Sequence, residues 1–330
     1  METRALGSSG IEISRVVLGC GGFGGIGSSP AFFGQGATRE EAFALLDAAW
    51  ELGITTLDTA DAYGGGRSES FIGAWLAARG PDVRDRMVVA TKTFNPMAEG
   101  ADSGLGAARI ARQARSSLER LGCDRIPLYM VHDFDPRTPQ EETLAALDGL
   151  VQTGVVGAVG ASNFSAAQLD EALALSHARG LVAYEWVQNE LSLLEQRDRE
   201  ELLALCRAHS VGYTPFSPLA GGWLTGKYRR GEAPPPGSRM TTRPEGGARF
   251  ANDAVFDALE EFETYARRRG ATMSGLALAW LLQLPDVTAV VVGPTRVEQL
   301  DPIREALALT LPDDEWDELE AIFTREVAAR

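Results

Sequence analysis

The chain has 330 residues, 45% of them hydrophobic and 23% charged, which is an ordinary globular composition. Its formal net charge of −15 excludes unaided binding to nucleic acid or to an anionic membrane, so an anionic ligand would need a local basic cluster. Cys20, Cys123 and Cys206 are odd in number, widely spaced and without a CxxC, which argues against a disulfide framework and for a reducing, cytoplasmic setting.

The opening segment, "METRALGSSG", mixes acid and base and does not read as a signal peptide. "RALGSSGIEIS" predicts a small hairpin turning on Gly and Ser. Short apolar runs then alternate with helical patterns. The runs are "RVVLG", "ITTLD", "MVVATK", "IPLYMVH", "VVGAVGAS", "YEWVQN", "VGYTPF" and "TAVVVG". Helical spacing is predicted over 39–52, 67–79, 104–121, 139–152, 165–178, 197–209, 252–269, 272–283 and 296–308. Thr38, Thr138 and Ser165 are the expected N-caps, and Gly53, Gly122, Gly154 and Gly180 the expected stops. "LALAWLLQL", the longest apolar stretch, is too short to span a bilayer.

The runs are apolar throughout instead of alternating, as strands covered on both faces of a parallel sheet are. Eight such strands with outer helices close into a (β/α)8 TIM barrel. An open doubly wound sheet is the competing architecture. Eight near-equal units favour the barrel, as does a leading hairpin placed to plug its floor. The expectation is one α/β barrel domain over 1–330 with two long βα loops. Residues 20–37 follow the first strand, and residues 220–250, containing "APPPG", follow the seventh.

Two motifs mislead. Gly19, Gly21 and Gly24 match GxGxxG, but no helix opens on them, as a dinucleotide fold requires. Gly221, Gly226 and Lys227 match GxxxxGK, but Tyr228 stands where a P-loop needs Ser or Thr. His177 and His209 lie in helical patterns without Cys or His partners, and no metal site is expected.

The strand ends carry the informative residues. "TLDTADAYGGGRSE" runs an apolar strand into Asp58, with Tyr63 five residues later. Asp58 could simply cap the next helix. Lys92 ends the third run, His132 the fourth, Ser162–Asn163 the fifth and Gln188–Asn189 the sixth. A lysine ending an apolar run is costly unless paired. Three ionisable groups and a phenol at the carboxyl face of one barrel form a candidate catalytic cluster.

"LDTADAYG", "TK", "LYMVHDFDP", "GASNF", "VQNELSLL" and "FSPLAGGWLTGKY" together resemble the aldo-keto reductases, in order, from about residue 3 to 310. The looser resemblance is to bacterial members near the potassium-channel β-subunit branch. It implies a catalytic set of Asp58, Tyr63, Lys92 and His132. The chemistry agrees: a phenol with a pKa of about 10 can give the proton a reduced carbonyl needs if a nearby ammonium lowers that pKa. Asp58 would hold Lys92 charged, and His132 would donate to the substrate oxygen.

The resemblance also implies NADPH/NADP+ as cofactor, with NADH bound more weakly. Ser162, Asn163 and Gln188 would hold the nicotinamide carboxamide and Phe216 would stack on the ring, with Gly21, Gly22 and Phe23 alongside. Ser217, Pro218, Leu219, Gly221, Thr225 and Lys227 would line the pyrophosphate, and Gly293, Thr295 and Gln299 the adenosine end. Arg239 resembles the arginine that grips phosphate in the channel-β branch. Lys227, Arg229, Arg230, Arg239, Arg243 and Arg249 make a basic loop on an acidic chain, suited to a phosphorylated cofactor, although a solvated linker reads the same way. Asp301-Pro302-Ile303 replaces the Glu-Asn pair that relatives place against the adenine. Phe23, Phe32, Phe33, Phe94, Phe134 and Trp223 suggest an apolar or aromatic carbonyl substrate, with Phe23, Tyr63, Phe94 and His132 against it. A carbonyl reductase, a non-catalytic NADPH-binding regulatory subunit, and an isomerase or epimerase using cofactor transiently remain open at this point.

Overall fold

The computed structural model describes residues 1–327. Its strands are β1 (Thr3–Ala5), β2 (Glu12–Ser14), β3 (Val16–Gly19), β4 (Thr56–Asp58), β5 (Val88–Thr93), β6 (Ile126–Val131), β7 (Val156–Ser162), β8 (Trp186–Gln188), β9 (Gly212–Tyr213) and β10 (Val290–Val292). The helices are α1 (Arg39–Glu51), α2 (Arg67–Arg79), α3 (Pro81–Arg84), α4 (Ala107–Leu121), α5 (Gln140–Gln152), α6 (Ala166–Arg179), α7 (Glu201–His209), α8 (Arg239–Thr242), α9 (Asp253–Arg269), α10 (Met273–Gln283), α11 (Asp301–Ala308) and α12 (Asp313–Val327).

β3 to β9 lie side by side in chain order, all parallel, and β10 pairs with β3. The two edges meet: Thr288 N donates to Tyr213 O at 2.8 Å and Val291 N to Pro215 O at 2.9 Å. The expected α/β barrel is therefore the observed fold, because a parallel sheet joined at both edges leaves no open strand.

The pleat divides each strand between two cores. Val17, Ala90, Leu128, Met130, Ala158, Trp186, Ala289 and Val291 fill the barrel. Leu18, Leu57, Val89, Tyr129, Val131, Val159 and Val187 face the helices. One close approach fixes a glycine: a Cβ on Gly160 would fall 2.6 Å from the Trp186 ring, so the indole fills the barrel only because β7 has no side chain there. β1 and β2 form the expected hairpin. Leu6 and Ile13, both 1% exposed, join the inner core, so the hairpin closes the amino-terminal end.

Thr38 and Ser165 cap α1 and α6 with full capping boxes, as expected. Thr138 does not cap α5. Pro139 occupies that position, and the Thr138 hydroxyl donates to Asp135 at 2.9 Å. The sequence reading also omitted α12. Its Leu319, Ile322 and Phe323 are buried at helical spacing, and Phe323 meets Phe262 of α9 at 5.3 Å between ring centroids. Among the described residues, no helix is long and apolar enough to cross a membrane.

Candidate active site

Strand parity decides which residues meet. Ala90 points into the barrel, so Lys92, two residues on, points in as well, at the carboxyl end of β5. The same step carries Met130 to His132, Ala158 through Gly160 to Ser162, and Trp186 to Gln188. Asp58 ends β4 in register with Ala90. Tyr63 arrives separately, opening the 3-10 turn Tyr63–Gly66. Gly64 in that turn has φ 59°, and a Cβ there would lie 2.7 Å from Phe23 O, so the turn that presents the phenol needs glycine.

Lys92 and Asp58 are buried beneath the site, 0% and 3% exposed, with Lys92 Nζ 2.6 Å from Asp58 Oδ1. Lys92 Nζ also donates to Thr59 O at 3.0 Å and lies 5.1 Å from the Tyr63 ring centre. Gln188 Nε2 donates to the same Asp58 oxygen at 2.9 Å. Tyr63 and His132, both half-buried, lie above. The Tyr63 hydroxyl is 3.4 Å from His132 Nε2, and the rings meet edge-on with centroids 5.4 Å apart.

Burial pushes the Tyr63 phenol above its usual range, and Lys92, acting in the opposite direction, does not reverse the sign. The sequence reading had the ammonium lowering the phenol. Its contribution has that direction, but desolvation of the phenolate is larger. Burial opposes the Lys92 charge too, yet Asp58 and then Tyr63 outweigh it and hold the ammonium above the ordinary lysine range. Burial first and Lys92 second push His132 well below the imidazole range. At neutral pH the cluster holds a protonated phenol, an ammonium and an uncharged imidazole.

A wall of left-handed backbone continues from this cluster. Asn163 has φ 60°, a conformation asparagine tolerates, and its Nδ2 donates to His132 O at 2.9 Å and Ser162 Oγ at 3.2 Å. Phe216 is half-buried against the inner core. After it Ser217, Ala220, Gly221 and Gly222 all have positive φ and lead through a 3-10 turn, Ala220–Thr225. A cleft of about 270 Å³ opens here, with Ser217, Gly221, Trp223, Arg239, Arg243 and Arg249 on its walls.

Residues 15–323 match the model of the aldo/keto reductase family. The chain belongs to that family. It is 34% identical to a Bacillus subtilis protein named uncharacterized oxidoreductase YrpG, over 98% of this chain and 96% of the other. It is 31% identical to a probable voltage-gated potassium channel subunit beta of Oryza sativa, over 98% and 96%. It is 29% identical to versiconal hemiacetal acetate reductase of Aspergillus parasiticus, over 97% and 96%.

As an aldo/keto reductase the chain is an oxidoreductase of a family that uses nicotinamide cofactors. The four residues singled out from sequence converge in this reductase. Ser162 and Gln188 are buried beside them, and Gly21 and Gly22 lie near the Tyr63 ring and Thr295 respectively. Pro218 is buried, and the Thr225 hydroxyl donates back to Gly222 O at 2.7 Å. Gly293, Thr295 and Gln299 are exposed on the far rim. Gln299 Oε1 already accepts from Thr295 N at 2.6 Å, Thr295 Oγ1 at 3.2 Å and Arg296 N at 3.3 Å, so it braces this turn. Asp301 and Pro302 start α11, Asp301 pairs with Arg304 at 2.6 Å, and Ile303 is buried.

The aromatic residues divide. Phe32, Phe33, Phe94 and Phe134 are half-buried in the loops above the site. Phe23 is 1% exposed and packs into the outer core, anchoring the first loop. Trp223 is buried among Tyr228, Phe250 and Phe256. The basic loop divides as well. Arg229 binds Glu263, and Arg230 binds Asp253, Asp257 and Glu260, all on α9 and outside the cleft. Arg249 binds Glu190 at 2.6 Å. Among the described residues, Lys227 and Arg239 form no salt bridge. Sequence reasoning missed Asn95, whose Nδ2 lies 3.2 Å from His132 Nδ1, and Arg109, which holds the end of β5. Asn95 stands three residues after Lys92 on the same barrel end, which is its one sequence signal.

Proposed function

We propose that this aldo/keto reductase reduces the carbonyl of an aldehyde or ketone to an alcohol, with NADPH as the preferred cofactor and Tyr63 as the proton donor. The observation that carries the reading is the pair of hydrogen-bonding groups, Tyr63 OH and His132 Nε2, held 3.4 Å apart above the buried Lys92–Asp58 pair.

The residues present fit the cofactor. Arg239, Ser217 and Gly221 lie on the wall of the cleft, Lys227 reaches back to Gly222 in the turn that borders it, and Gly21 and Gly22 face the Tyr63 and Thr295 side chains. Asn163, Ser162 and Gln188 would hold the nicotinamide carboxamide. Asn163 Nδ2 is already engaged with His132 O and Ser162 Oγ, which leaves its Oδ1 for the carboxamide amine. Phe216 would stack on the ring. When bound, the reduced nicotinamide supplies the hydride.

The protein's part is proton transfer and orientation. The substrate oxygen would accept hydrogen bonds from Tyr63 and His132, which align it and stabilise the charge that develops there. Tyr63 then gives up its proton. Burial keeps the phenol protonated at neutral pH, so the proton is available, and Lys92 offsets part of the cost of the phenolate left behind. Asp58 keeps that ammonium charged.

Purified protein, a panel of aldehydes and ketones, and NADPH or NADH, followed by cofactor absorbance, test the reading. Turnover with the wild type and a kcat lower by about 10²–10⁴ in Tyr63→Phe, with NADPH still bound, is the expected result. Cofactor binding without turnover on any carbonyl would instead favour a regulatory NADPH-binding subunit.

A further inference from the structure

A neutral imidazole carries one N–H, and which nitrogen carries it is set by the partner of the other. His132 Nε2 faces the Tyr63 hydroxyl. For the ring to donate to a substrate oxygen held between them, the proton must be on Nε2 and Nδ1 must be bare. A carboxylate or a carbonyl against Nδ1 would pull the proton to the wrong side.

The group against Nδ1 is the Asn95 side-chain amide, with Nδ2 at 3.2 Å. An amide nitrogen only donates. The Asn95 backbone is itself held in place. Arg109, 5% exposed, donates through Nη2 to Asn95 O at 2.6 Å and through Nη1 to Thr93 Oγ1 at 2.8 Å and Gly104 O at 3.2 Å. One guanidinium thus clamps the end of β5 and the loop after it, from the outer side of the barrel. On the other side of the ring, Asn163 Nδ2 donates to His132 O at 2.9 Å and holds the backbone. Both flanks of the histidine are anchored, and only one presents a donor to its ring.

We propose that Asn95 is a positioning residue that fixes His132 in the tautomer with its proton on Nε2. Its value for catalysis rests on the reading that His132 donates to the substrate oxygen; the tautomer itself does not. The low pKa that burial and Lys92 impose on His132 agrees with a ring that stays neutral and therefore needs a tautomer chosen for it.

The test is a long-range proton–nitrogen NMR spectrum of protein labelled with 15N-histidine. The chain has three histidines, and His177 and His209 are exposed, so loss of one set in His132→Asn assigns the signals. In the wild type, His132 is expected to show a protonated Nε2 and a bare Nδ1. In Asn95→Asp, whose carboxylate accepts, Nδ1 is expected to become protonated. In Asn95→Ala the two tautomers should mix, and kcat should fall about tenfold with a smaller change in KM. A wild-type Nδ1 that carries the proton overturns the proposal without any variant. So does an Asn95→Asp protein whose His132 spectrum matches the wild type. A bare Nδ1 in a protein that reduces no carbonyl leaves the tautomer standing and removes the functional reading instead.

Discussion

Asp61 lies between two catalytic candidates in the sequence, and its physics differs from theirs. Its backbone N–H donates to Lys92 O at 2.9 Å, so it helps to shape the turn from Asp58 to Tyr63. Its carboxylate is fully buried, with neither oxygen in a hydrogen bond of good geometry, the Thr93 hydroxyl close by and Arg109 Nη2 at 3.9 Å. Burial, reinforced by Glu69 and opposed by Arg109, the Thr93 hydroxyl and Arg120, pushes it up to about 7. An unfolded aspartate titrates near ~3.9. The folded state therefore holds a proton that the unfolded chain releases as pH rises between those values. Stability from this group is full below about pH 4 and is lost as pH rises through about 7, a difference of about 4 kcal/mol. Asp61→Asn should therefore melt at higher temperature than the wild type at pH 8, with the gap closing toward pH 4. Equal melting temperatures at pH 8 would show that water or Arg109 already compensates the charge. The sequence showed an Asp near Tyr63. It could not show that this Asp, unlike Asp58, faces the outer layer, because that depends on how the turn leaves β4.

At the scale of elements, two long loops meet over the cleft. Arg243 Nη1 donates to Ile26 O at 3.2 Å, and its guanidinium lies 5.1 Å from the Phe32 ring centre. This ties residues 238–249 to residues 20–37. Arg243→Ala is expected to speed NADPH release several-fold in stopped-flow displacement while leaving the barrel intact. An unchanged off-rate would mean that the loops do not close over the cofactor. Arg239 carries a different expectation. Arg243 is its like-charged neighbour, and burial and that neighbour both lower its pKa, so a phosphate beside it would relieve an unfavourable charge. A charge-assisted hydrogen bond contributes about 1.5–3 kcal/mol, so Arg239→Ala should weaken NADPH about tenfold or more. NADH, without the ribose phosphate, should weaken much less in the same fluorescence titration. Equal losses would move Arg239 to the shared pyrophosphate. The composition of this loop was legible in the sequence, and its division was not. Arg229 and Arg230 are the same residue type as Arg239 in the sequence, but α9 places Glu263 and Glu260 where they can reach them, and only packing reveals that.

For the whole molecule, the hairpin and the barrel form one inner core. Leu6 sits between the ends of β8 and β9 and the interior residues above them. Truncation there leaves a cavity that a closed barrel cannot collapse around. Leu6→Ala should cost about 2–5 kcal/mol in denaturant unfolding, with Tyr63 and Lys92 at the far end left in place. A loss under about 0.5 kcal/mol, the usual surface value, would show that the hairpin is a loose appendage.

Eight apolar runs, the hairpin before them and the polar residues at their carboxyl ends could be read directly. Strand periodicity and helix spacing are local properties, and parity along a strand puts Lys92, His132, Ser162 and Gln188 on one face whatever surrounds them. Aldo/keto reductase membership was legible for the same reason, since its motifs sit at those strand ends. Tertiary structure alone decided how these groups act on one another. It set Tyr63 against His132, brought Asn95 to Nδ1, buried Phe23 in the core instead of at the mouth, and separated Arg239 from Arg229 and Arg230. It also reversed the expected sign at Tyr63, because desolvation depends on everything that covers the phenol, and no stretch of sequence contains that.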